Sequence, residues 1–180
     1  LGADSNDFAP FFSNSCFNEY EIILPNAPHR KITLNQNFEM RAWFDMKSLN
    51  LDDLDEEDFM KSSKILDAII VDKLKKNPKT KIYIGGFSQG AALSIFYGLN
   101  SIYKINGVIS FSGFLPKFNY QNKIVTKPIL KVHGIYDDII NFQISKKTFD
   151  LLSFSNLVSK SYNMGHEVIE KQVVDLLSFL

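Results

Sequence analysis

The chain has 180 residues, with 20 Lys and Arg balanced by 20 Asp and Glu and a hydrophobic fraction of 45%. That length supports one domain with a sizeable core, and a net charge of zero supplies no basic excess to draw nucleic acid. No apolar run is long enough to span a bilayer as a helix, and the single Cys16 permits no internal disulfide, which agrees with a reducing compartment.

Residues 1–18 are rich in Gly, Asp, Ser, Asn and Phe and read as a loop with a helical turn around Phe8 to Phe12. The 16 Phe of the chain point to large apolar contacts, a Phe-rich core being the simplest use of most of them. Glu19 to Leu24 reads as a strand stopped by Pro25. Pro25 to Arg30 is expected to be irregular, because two prolines remove backbone donors and force extended geometry on the residues before them. Met40 to Met46 is a mixed aromatic segment of undetermined type. The acidic run Leu51 to Asp58 leads into an amphipathic pattern of Phe59, Ile65, Leu66, Ile69, Ile70 and Leu74, closed by Lys73, Lys75 and Lys76. Acid first and base last suits a helix dipole, so the carboxylates read as a capping run rather than a metal site.

After Pro78 comes Ile82-Tyr83-Ile84-Gly85-Gly86-Phe87-Ser88-Gln89-Gly90-Ala91-Ala92-Leu93. A short β-rich segment runs into glycines and a serine, and a helix-favouring segment follows. Gly86-Phe87-Ser88-Gln89-Gly90 fits G-x-S-x-G, in which a strained strand-to-helix turn projects the Ser hydroxyl from the end of a sheet. Both glycines are expected to relieve a collision between strand and helix. A phosphate loop is set aside, because the G-x-x-x-x-G-K-[ST] order is absent. Further strands are expected at Ile105 to Phe111, Ile129 to Val132 and Leu157 to Tyr162, and helices at Phe142 to Leu152 and Glu167 to Leu180. His133 to Asp138 and Asn163 to His166 read as loops. Strands alternating with helices predict an α/β fold with a mostly parallel central sheet covered on both faces.

Ser88, Asp137 and His166 each follow a predicted strand, at the end where parallel sheets place ligands. Their order, Ser then Asp then His, is that of an α/β-hydrolase. A Ser hydroxyl needs a base to become nucleophilic, imidazole can take that proton and return it to the leaving group, and a carboxylate fixes the ring. His166 is therefore the candidate base. His133, at a strand end before the acid, reads as structural, and His29 lies in a Pro-bounded loop ahead of the nucleophile. From the residues alone Asp137 and Asp138 both remain candidates for the acid. The backbone N–H of Gln89, the residue after the nucleophile, is the expected first oxyanion donor.

These residues resemble the phospholipase/carboxylesterase group of α/β-hydrolases, which includes the acyl-protein thioesterases. The resemblance covers essentially the whole chain. It is carried by Leu1-Gly2-Ala3-Asp4, Leu24-Pro25-Asn26-Ala27-Pro28 with Thr33-Leu34-Asn35, Ala42-Trp43-Phe44-Asp45, Gly85 through Leu93, His133-Gly134 followed by Asp137, and Met164-Gly165-His166. It implies Ser88 as nucleophile, Asp137 as acid, His166 as base, and oxyanion donors from the backbone of Gln89 and Leu1. Trp43, Phe114, Leu115, Ile139 and Met164 are candidate walls of an acyl pocket, with core packing as the alternative for each.

The resemblance further implies hydrolysis of carboxylic esters or acyl thioesters without cofactor or metal, on a small-molecule ester, a lysophospholipid or an acylated protein. It implies a cytoplasmic protein, and several family members form dimers, which makes a homodimer a candidate assembly. Family members carry a strand and His-Gly before the position of Leu1, so a longer natural polypeptide is expected. The loop Ile135-Tyr136 departs from the family, where an acidic residue often comes first, and this keeps Asp138 in view. A reading from a different class also stands at this point: a weak or inactive hydrolase fold that binds an acylated partner. A peptidase on the same fold is disfavoured by the lack of a cap domain or an amine-recognition motif.

Overall fold

The computed structural model describes residues 1–13, 15–49, 51–120 and 124–180. Its centre is a parallel sheet of β3 (Tyr83–Phe87), β4 (Gly107–Phe111), β6 (Ile129–Gly134) and β8 (Leu157–Tyr162), ordered β3-β4-β6-β8. β4 and β6 are buried along their whole length, as central strands with both faces covered must be. Among the described strands β3 pairs only with β4, and its outer edge is correspondingly less buried.

Side-chain alternation along the two central strands divides the core in two. Val108 of β4 and Ile129 of β6 point to one face, where α2 (Glu56–Lys76), α3 (Gln89–Asn100) and α4 (Phe142–Phe149) bring Phe59, Leu66, Ile70, Phe96 and Phe149. Ile109, Phe111, Leu130 and Val132 point to the other, against Leu176 of α5 (Glu170–Phe179) and Phe11 and Phe12 of α1 (Ser5–Phe12). The Phe residues are thus used mainly in packing, with rings of Phe44 and Phe59 stacked at 4.0 Å and Phe96 edge-on to Phe59 at 5.2 Å.

The acidic run before α2 is a helix start. Asp55 is the N-cap and its side chain accepts from the Glu57 N–H. Asp58 makes a two-pronged ion pair with Arg30 at 2.5 and 3.1 Å and also accepts from the Asp45 N–H at 3.0 Å. The Tyr97 hydroxyl donates to Asp67 at 2.7 Å and ties α3 to α2.

Several local expectations are corrected. Glu19 to Leu24 forms no strand: the Tyr20 N–H donates to the Phe17 carbonyl to close a turn, and Ile22 and Ile23 stay exposed with no strand beside them among the described residues. The hairpin in this region lies later, where β1 (His29–Ile32) pairs antiparallel with β2 (Phe38–Arg41). His133 and Gly134 belong to β6 rather than to a loop, because they pair with Ser161 and Tyr162. The helices near the C-terminus are shorter than expected, ending at Phe149 and starting at Glu170, and the two-residue pair β5 (Ile124–Val125) and β7 (Ser153–Phe154) had no visible signal.

Candidate active site

Ser88 occupies the turn between β3 and α3 with φ 55° and ψ −116°, a left-handed conformation that a residue with a Cβ adopts only at a cost. Its N–H donates to the Phe111 carbonyl at 2.9 Å, which holds the turn on the end of β4. The close approach of strand and helix is permitted by Gly86, where a Cβ would lie 2.4 Å from the carbonyl carbon of Gly90. Gly90 has no such duty. A Cβ there would meet only the Trp43 ring nitrogen at 3.7 Å, so the expectation that both glycines are sterically required holds for Gly86 alone.

His166 comes from the loop after β8. Its Nε2 lies 2.9 Å from the Ser88 Oγ, and its Nδ1 lies 2.8 Å from the Asp137 Oδ2. Asp137 is buried, while Asp138 is exposed, so the carboxylate facing the imidazole is that of Asp137. Its Oδ1 accepts from the N–H groups of Ile139 and Ile140 at 3.0 and 2.7 Å. These bonds to the charged form make a buried carboxylate tolerable. The end of β6 meets the loop that carries His166 at Gly134, where a Cβ would fall 2.3 Å from the Gly165 carbonyl oxygen.

His133 is fully buried behind this line. Its Nε2 donates to the Ile140 carbonyl at 2.7 Å and lies 3.3 Å from Asp137 Oδ2, and burial lowers its pKa. It is therefore neutral with its proton on Nε2 and buttresses the loop of Asp137 to Ile140, whereas His29 is exposed on β1. The imidazole of His166 packs on the Phe87 ring at 4.6 Å between centroids, tilted by 40°.

The remaining site candidates fall in different places. Gln89 opens α3, and its buried side chain does more than its backbone was expected to do: Oε1 accepts from the Trp43 N–H at 2.8 Å and Nε2 donates to the Phe44 carbonyl at 2.7 Å. This clamp holds the Trp43 segment against the elbow. Leu1 is half exposed, next to Gly2, whose N–H donates to the Arg41 carbonyl at 2.9 Å. Phe114 and Leu115 sit inside the core and present almost no surface to a bound molecule, and Met164 is also buried. Trp43 is partly buried, and Ile139 is exposed beside Asp137. An aromatic wall that sequence reasoning missed is formed by Phe8 and Phe11 of α1 with Phe87. Phe8 and Phe87 are 6.1 Å apart, and these rings line an open groove that reaches His166. Its only signal was the spacing of Phe8 and Phe11 by one helical turn.

A serine on a strained strand-to-helix turn, an imidazole against its hydroxyl and a buried carboxylate behind the ring define the α/β-hydrolase class. The model of the family described as Phospholipase/Carboxylesterase matches residues 1–180, and the chain belongs to that family of hydrolases. It is 41% identical over 170 residues to acyl-protein thioesterase 1 homolog 1 of Dictyostelium discoideum, covering 88% of this chain and 75% of that protein. It is 34% identical over 174 residues to acyl-protein thioesterase 1 of Candida albicans, with the same coverage of 88% and 75%. Among solved structures, a variant of Arabidopsis thaliana SOBER1 superposes with a TM-score of 0.87 at 26% identity, covering 99% of this chain and 93% of that one.

Proposed function

We propose that the protein hydrolyses carboxylic esters or acyl thioesters through an acyl-enzyme formed on Ser88. The observation that carries this reading is His166 bridging the Ser88 hydroxyl and the Asp137 carboxylate at 2.9 and 2.8 Å. His166 Nε2 takes the hydroxyl proton as Oγ attacks the acyl carbon. The negative charge moves to the former carbonyl oxygen, which accepts from the Gln89 N–H, a first-turn helix donor with no carbonyl before it in α3, and from the Leu1 backbone. The imidazolium, oriented by Asp137, gives its proton to the departing oxygen or sulfur as that bond breaks. Water then repeats the sequence on the Ser88 ester, releasing the carboxylic acid and restoring the hydroxyl.

Names of the matched relatives support an acylated protein as one substrate, and short to medium acyl chains are the proposed length. Likeness to the family also supports a cytoplasmic location and a homodimer, checked by cell fractionation and by light scattering of purified protein. The function is tested by turnover of an S-octanoyl-cysteinyl peptide and of p-nitrophenyl octanoate. Replacement Ser88→Ala should lower turnover by on the order of 10³-fold or more; unchanged turnover in that variant removes the proposal.

A further inference from the structure

Beside His166 runs an open groove of about 500 Å³ lined by Asp7, Phe8, Phe11, Phe87, His166 and Glu167. Pro10 and Val168 complete a largely apolar lining, and its two charged residues apart from the imidazole are both acidic and exposed. In a chain with 20 positive and 20 negative residues, that local imbalance is a feature of the groove and not of the protein as a whole. Asp7 Oδ2 accepts from the Asp4 N–H at 2.7 Å and Glu167 Oε1 from the Gly165 N–H at 3.3 Å, bonds that position the carboxylates without neutralising them.

We infer that this groove receives the departing half of the substrate and favours a thiol carried on a basic peptide, an inference that rests on the hydrolase reading above. The imidazole that protonates the leaving atom forms part of the groove wall, so the chain attached to that atom is led into the groove as the acyl bond breaks. A lysine or arginine side chain matches the lining: its methylene stem lies on apolar surface, and its charged head meets the carboxylates and the Phe faces. A quaternary ammonium headgroup would instead call for rings closed around it. Here the Phe8 and Phe87 rings are tilted by 50° at 6.1 Å beside a groove open on one side, which suits an extended peptide.

The test uses three S-octanoyl-cysteinyl peptides that differ only in the residue after the cysteine, Lys, Ser or Glu, with kcat/KM measured at low ionic strength. The Lys peptide should exceed the Glu peptide by about tenfold, and the ratio should shrink toward one in high salt. It should also collapse in the double variant Asp7→Asn/Glu167→Gln. Because the readout is a ratio within one preparation, partial loss of folded protein cancels. Equal rates on all three peptides overturn the subsite and leave the hydrolase standing, and absence of turnover on all three overturns both. A ratio unchanged in the double variant, or preference for a choline ester without discrimination among the peptides, also overturns it.

Discussion

A Cβ placed on Gly86 would lie 2.4 Å from the carbonyl carbon of Gly90, inside the distance that real contacts reach, so the end of β3 and the first turn of α3 meet with no room for a side chain. The atoms in the way are backbone, which cannot rotate aside. Gly86→Ala should therefore cost about 1–3 kcal/mol and displace Ser88 from His166, lowering both melting temperature and esterase activity. Gly90→Ala should fold at least as well as the parent, since the added methyl makes only an ordinary contact with the Trp43 ring nitrogen at 3.7 Å and Ala is favoured over Gly in a helix by about 1 kcal/mol. Thermal unfolding of the two variants side by side checks the contrast.

The two adjacent acids should separate cleanly. Asp137 is buried against the imidazole while Asp138 is exposed. Asp137→Asn should reduce kcat on the order of 10³–10⁴-fold by removing the charge that orients His166 and stabilises its protonated form. Asp138→Asn should keep kcat within about twofold of the parent. Steady-state kinetics on one ester decide it, and equal losses in both variants would show that the acid has been misassigned.

How much of this was legible in the sequence depends on the range of the interactions involved. The elbow could be read because strand, turn and helix signals are contiguous from Ile82 to Leu93, and the order Ser88, Asp137, His166 survives without knowledge of any contact. The α2 boundaries were readable for the same reason, since Asp55 and the terminal lysines act locally. By contrast, Glu19 to Leu24 has strand-like composition but no partner strand among the described residues, and β6 extends through Gly134 only because β8 lies beside it. The Gln89 clamp and the groove under Phe8 both join residues distant along the chain. Composition and spacing carry no record of such pairings.

The Arg30–Asp58 pair should be visible in the pH dependence of stability. Burial pushes the Asp58 carboxyl up, but bonding and charge from Arg30 and the Asp45 N–H outweigh it and leave the pKa below the ordinary carboxylate value. A depressed folded-state pKa contributes stability that is present above the unfolded value of about 4 and is lost as pH falls through the folded one. Asp58→Asn should thus be less stable than the parent by about 1–2 kcal/mol at neutral pH, with the gap closing in acid. Urea unfolding across a pH series checks the sign.

Lys131 predicts a change of the opposite kind. It is buried on β6 with its ammonium 4.5 Å from the centre of the Phe149 ring, and desolvation pushes its pKa down to about 8. Here the folded pKa lies below the unfolded one, near 10.4. The charged form is therefore penalised in the folded state, fully below pH ~8, and stability rises as pH climbs from ~8 toward ~10.4. Lys131→Met should remove that penalty and stabilise the protein near neutrality by about 1–3 kcal/mol, with a smaller gain at alkaline pH. Calorimetry at two pH values measures both effects.

Reaction of the intact protein with a fluorophosphonate, followed by peptide mass mapping, tests most directly whether His166 activates Ser88. One equivalent of label on Ser88, abolished by Ser88→Ala and strongly slowed by His166→Ala, is the expected result. Failure to label, or labelling that persists at another residue once Ser88 is gone, would contradict a serine nucleophile at the elbow and return the fold to a role in binding.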